Sequence, residues 1–166
     1  QDESTRSERQ KLLDSIKKQG DNSAEGIIFL LPFEDDPTRL KEFSEEIDAF
    51  IIQARFKNHN KNPIPASIVV TKWDKSGFCK CEDEKNKALD YINSYEVLKN
   101  AFKAIKDNFE YTELIPLSSY ENYNLLAPIN FSLEITFKQW YDKAKELNEA
   151  KNFEKLCKYL SIRWND

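Results

Sequence analysis

Three apolar runs, separated by amphipathic and polar stretches, set the pattern of the chain. Residues 26–33 read GIIFLLPF, a continuous apolar run suited to a strand buried on both faces. Glu34-Asp35-Asp36-Pro37 follows, with acids ahead of a proline. That order starts a helix, because proline fits the first turn and carboxylates favour its positive end. Leu40, Phe43, Ile47, Phe50, Ile51 and Ala54 then fall on one stripe of a helix expected over 37–56. A polar loop over 57–65 leads to ASIVVT at 66–71, a second strand. Residues 75–94 are polar and irregular, and they read as an insertion, mobile or carrying a short helix. A helix is expected near 95–109, a third strand over 111–117, and a helical tail over 131–166 as one long helix or two in succession. Upstream, Leu12, Leu13 and Ile16 share one helical face before a turn at Gly20-Asp21-Asn22-Ser23.

Helices alternating with strands build parallel sheets through right-handed crossovers. The expected architecture is one α/β domain over 1–166, a three-layer parallel sheet with flanking helices. Three strands are few for such a sheet. The chain also has no methionine, so Gln1 reads as interior to a longer protein whose earlier residues complete the fold. A length of 166 residues suits one domain with a core. A net charge of −4 argues against a nucleic-acid-coating role, which needs clustered basic surface. No apolar run reaches membrane-spanning length. Three cysteines, an odd number, fit a reducing, cytoplasmic setting better than a disulfide framework.

In open parallel sheets, ligands bind beyond the carboxyl ends of the strands. The second strand ends in Thr71-Lys72-Trp73-Asp74 and the third in Ser118-Ser119. With the strand and helix before them, these segments resemble the base-recognition half of the P-loop GTPases, the Ras-like and translation-factor-related class. That family has a strand ending in Asn/Thr-Lys-x-Asp, a helix, and a strand ending in Ser-Ala; here IVVTKWD and ELIPLSS match, with Ser119 where alanine is usual. The resemblance covers roughly residues 1–150, the C-terminal half to two-thirds of such a domain.

The resemblance implies GTP or GDP as ligand. Asp74 would accept the N1–H and exocyclic amino protons of guanine together. Lys72 would lay its aliphatic stem across the base, and Thr71 would tie the strand end to neighbouring loops. Ser118 and Ser119 would brace Asp74 and offer a backbone N–H to the guanine O6. Phosphate binding is another matter. A phosphate loop needs two glycines five apart followed by Lys-Ser/Thr, and Gly20, Gly26 and Gly77 begin no such pattern. Magnesium and GTP hydrolysis would therefore depend on residues upstream. The remaining reading of the same fold is a degenerate module that binds a protein partner without nucleotide.

Other candidates are weaker. Asp74-Lys75-Ser76-Gly77 fits the Asp-x-x-Gly of a magnesium switch, but Lys72 and the downstream strand favour base recognition. Cys79, Cys81, Cys157 and His59 equal a zinc-ligand count, yet the spacing is poor and the cysteines read as loop thiols. Glu34-Asp35-Asp36 reads as a helix-start charge pattern rather than a metal site. Phe131, Phe137, Trp140 and Tyr141 are expected to pack the last helix on the sheet.

Overall fold

The structure is a computed structural model that describes residues 26–54, 61–146, 151, 152 and 154. Three parallel strands form one sheet in the order β1-β2-β3: β1 is Ile27–Pro32, β2 Ala66–Thr71 and β3 Thr112–Pro116. The helices are α1 (Pro37–Ala54), α2 (Glu84–Ser94), α3 (Glu96–Asn108) and α4 (Ala127–Glu146). A single 3-10 turn, Trp73–Ser76, follows β2. This is an α/β fold with a small parallel sheet. The upstream helix expected around Leu12, together with His59 and Cys157, lies outside the described residues.

The sheet sits between two helical layers. Phe29, Leu31, Ile68, Val70 and Leu114 point into one core, which α1, α2 and α3 close with Leu40, Ile47, Phe50, Ile51, Ala88, Ile92, Leu98 and Ile105. Phe29 meets Phe50 and Phe109 edge-on, at ring separations of 5.6 and 6.0 Å. The alternate residues face α4, where Ser67, Val69 and Ile115 are buried, as is Tyr141 of the helix. β2 is the most deeply covered of the strands, and its residues Ala66–Val70 have at most 2% of their surface exposed.

Register follows from backbone geometry. Ile27 N–H donates to Pro65 C=O and Phe33 N–H to Thr71 C=O, so the odd residues of β1 bond to β2. Leu117 N–H donates to Val70 C=O on the other side. Pro32 and Pro116 therefore turn their nitrogens to the two outer edges, where a missing N–H costs no ladder bond. The pairing sets Pro32 level with Thr71, and Val70 level with Pro116. The strand ends reach the same rim together.

The helix starts follow ordinary rules. Asp36 Oδ1 accepts from Thr38 N–H at 2.9 Å and caps α1, so one of the acids ahead of Pro37 serves the helix start. Gly26 begins β1 because a Cβ there would lie 2.2 Å from Ser132 Oγ and 2.8 Å from Ser132 Cβ on α4.

Several expectations need correction. β1 is buried on one face only, since Ile28 and Leu30 are 44% and 60% exposed. Its apolar composition suited double burial, but α4 covers β2 and β3 and leaves this face bare. In α1 the stripe of Leu40, Ile47, Phe50 and Ile51 is buried and Phe43 half-buried. The side chain of Ala54 and residues 55 and 56 lie outside the described residues. The stretch 75–94 is largely an eleven-residue helix, whose Ala88 and Ile92 enter the core. The final helix begins at Ala127, ahead of the expected 131. Of its aromatics, Tyr141 is buried and Phe131 and Phe137 are half-buried. Trp140 stays 40% exposed, resting edge-on against Phe137.

Ile92→Ala should therefore destabilise the domain by about 2–5 kcal/mol, the range for truncating a buried isoleucine. Leu30→Thr should change stability by less than about 1 kcal/mol, because that side chain already faces water. Urea denaturation of the two variants beside the wild type checks both; equal losses would mean that the bare face of β1 is covered.

Candidate functional site

The three strands end together on one rim, and the chemistry of the chain gathers there. Thr71 closes β2, and its carbonyl accepts from Phe33 N–H at 2.8 Å. This bond continues the ladder between β1 and β2. Lys72 then turns the chain with φ 57° and ψ 31°, a left-handed conformation that costs a non-glycine residue roughly 1–2 kcal/mol. Such backbone strain persists only where the surroundings enforce it. Here they do. Trp73 is buried at 1% exposure and meets Phe33 edge-on at 5.5 Å, while its N–H donates to Leu117 C=O at 3.0 Å. With Trp73 driven inward, Lys72 and Asp74 on either side face outward.

Asp74 lies in the 3-10 turn, partly exposed, and Ser118 Oγ donates to its Oδ1 at 2.6 Å. A carboxylate only accepts, so the one hydroxyl proton of Ser118 is committed to this bond. The same Oγ accepts from Glu121 N–H at 3.1 Å, and Ser118 is fully buried. Oδ2 of Asp74 has no partner among the described residues and remains available as an acceptor. Ser119 is exposed; its carbonyl accepts from Asn122 N–H at 3.4 Å, and its own N–H has no partner among the described residues. The rim thus presents a fixed carboxylate and a free backbone donor on neighbouring strand ends. Lys72 Nζ stands 3.9 Å from Glu34 Oε2 at the end of β1.

The turn after β3 is held by contacts that sequence reasoning missed. Ser118 and Tyr123 exchange backbone hydrogen bonds of 3.2 and 2.8 Å. The Tyr123 hydroxyl donates to Glu84 Oε1, at the first turn of α2, and Asn124 Nδ2 donates to Pro116 C=O at 2.9 Å. Asn122 and Asn124 take positive φ of 49° and 57°, which asparagine tolerates better than most residues. Lys80 and Glu121 add a surface ion pair of 3.0 Å between the 3-10 turn's following loop and this one. Asparagines flanking a tyrosine marked a turn in the sequence; nothing local marked Glu84 as its anchor.

Burial pushes the Cys79 thiol above its usual range, which leaves it a weak nucleophile at neutral pH. Among the described residues no group of three His, Cys, Asp or Glu side chains could hold a metal ion. No described helix is long and apolar enough to cross a membrane. Comparison with family models, curated proteins and solved structures found no match for this chain.

Burial, reinforced by the bond to Glu84 and by its charge, pushes the Tyr123 phenol up from 10 to about 12. The folded state holds this proton more tightly than the unfolded chain. The resulting stability is complete below pH 10 and is lost as pH rises through about 12. Tyr123→Phe removes that contribution and leaves Glu84 Oε1 with only a long 3.5 Å bond from Asn124 Nδ2, at a cost of about 1 kcal/mol or more. Denaturation curves for both proteins should differ most at pH 9 and converge towards pH 12; a gap that does not narrow contradicts the assignment.

Proposed function

We propose that this chain supplies the guanine-recognition half of a guanine-nucleotide-binding domain of the P-loop GTPase type, without its phosphate-binding loop. One observation carries the reading. The Ser118–Asp74 bond joins the ends of adjacent parallel strands, fixing a carboxylate on one strand end while the next carries the free N–H of Ser119. Guanine offers two donors side by side, N1–H and the amino group, next to an acceptor, O6. Asp74 and the Ser119 N–H are complementary to that edge in kind. Adenine lacks the paired donors and would leave Asp74 facing an acceptor at N1.

The residues present do not fit phosphates or magnesium. The sequence holds no phosphate-loop pattern, and the described residues hold no cluster of metal ligands. No step of hydrolysis is therefore assigned to any residue here. The strained Lys72 adds weight to the reading, because strain of this kind gathers at binding sites. A second reading, a nucleotide-free protein-interaction module, is favoured by the bare apolar face of β1 at Ile28 and Leu30.

Asp74→Asn tests the base contact. Asparagine offers one acceptor and one donor, which suits the N1–H and 2-carbonyl of xanthine and mismatches guanine. The substitution should weaken guanosine diphosphate binding and strengthen xanthosine diphosphate binding, each by about 1–3 kcal/mol. Titrating both diphosphates into both proteins gives the answer; a wild type and variant with equal guanosine diphosphate affinity would mean that Asp74 does not touch the base.

Purified residues 1–166 should also fail to turn over GTP, since their sequence holds no phosphate-loop pattern to cradle the β- and γ-phosphates. Phosphate release above that of a mock-purified control would contradict this.

A further inference from the structure

We propose that Glu34 is a positioning residue of this site, acting through Lys72; the inference rests on the guanine-binding reading above. Glu34 stands at the end of β1, where the chain leaves the sheet for α1. Its side chain is only 16% exposed, and Oε2 lies 3.4 Å from Arg39 Nη1 and 3.9 Å from Lys72 Nζ. The ends of all three strands therefore contribute to the rim: Glu34 from β1, Lys72 and Asp74 from β2, Ser118 from β3.

The geometry between Glu34 and Lys72 is enforced by the core beneath them. Tyr91 of α2 grips the backbone of Glu34 from both sides, its hydroxyl accepting from Glu34 N–H at 3.2 Å and donating to Glu34 C=O at 2.8 Å. The Tyr91 ring packs on Phe33 at 4.7 Å, and Phe33 meets Trp73 at 5.5 Å. Phe33 N–H also donates to Thr71 C=O. The residue before Glu34 is thus tied to both neighbours of Lys72, by a backbone bond on one side and a ring contact on the other. Two rim side chains of opposite charge are held in register by buried contacts.

A plain surface ion pair is the competing account. Arg39 already neutralises Glu34 at a shorter distance, so charge balance alone does not call for Lys72. The Lys72 side chain is 48% exposed, and pairs that exposed add little to stability. What the contact does is restrict a long, flexible side chain. With its ammonium drawn to the end of β1, the stem of Lys72 is held beside Asp74 before any base arrives. Restraint made in advance is not lost again on binding, so affinity rises without a new contact to the ligand.

The test has a ligand-free arm and a binding arm. Nuclear spin relaxation of the Lys72 ammonium reports its order directly. In Glu34→Gln the order parameter should fall towards that of an exposed lysine such as Lys103; an unchanged value overturns the proposal. In the binding arm, guanosine is titrated into wild type, Glu34→Gln, Lys72→Met and the double variant. Glu34→Gln should weaken binding about three- to ten-fold when Lys72 is present and have no effect when it is methionine. Equal effects in both backgrounds would overturn the proposal while leaving the guanine site intact. Glu34→Asp, which withdraws the charge by one methylene, should fall between wild type and Glu34→Gln. If wild type binds guanosine no better than Asp74→Ala does, the guanine reading itself fails, and the role of Glu34 falls with it.

Discussion

The structure depends on the burial of β2 from both sides. Its backbone groups are paired to β1 along one edge and β3 along the other, and its side chains are covered by α1–α3 beneath and α4 above. A segment so enclosed has no room for a charge. The first polar side chains after it emerge at Thr71 and Lys72, where the strand leaves the sheet. Parallel pairing then brings the ends of β1 and β3 level with that point. A polar rim bearing residues from three separate segments is a consequence of one apolar strand in the middle.

Trp73 shapes that rim. An indole between two charged residues has to go inward, and its burial against Phe33 forces Lys72 into the left-handed region. The strain at Lys72 is offset by the area that Trp73 removes from water, of order 1.5–3 kcal/mol for a large apolar side chain. Trp73 Nε1 finds no partner among the described residues, and the structure offers no physical account of that. On the far side, Ser118 is held by its own turn before it reaches Asp74. Glu84 of α2 anchors that turn through Tyr123, so a helix that looked like an inserted loop supports the carboxylate's partner.

Much of this was legible along the chain because it rests on local periodicity. The continuous run at 66–71, the stripe from Leu40 to Ile51 and the capped start at Asp36-Pro37 each carry their signal within one or two turns. Parallel sense followed from the alternation with helices. The contact between Asp74 and Ser118 could be expected only through a family resemblance, since the two lie 44 positions apart. The helix Glu84–Ser94 was obscured by its composition. Only Ala88 and Ile92 are buried, with Leu89 and Tyr91 half-buried, and a stripe that thin is hard to see among charged residues.

By itself, then, the sequence determined most of the elements along the chain and the polar residues at the strand ends, because hydrophobic period and turn chemistry act between near neighbours. The tertiary structure decided which faces are covered and which side chains meet. Ile28 and Leu30 are as apolar as Val69, yet they lie bare because α4 crosses the other two strands. Glu34 looked like one of several helix-start acids. It became the partner of Lys72 because Tyr91, 57 positions away, fixes its backbone against Phe33. Burial and long-range contact depend on how whole layers stack, and no local pattern of residues records that.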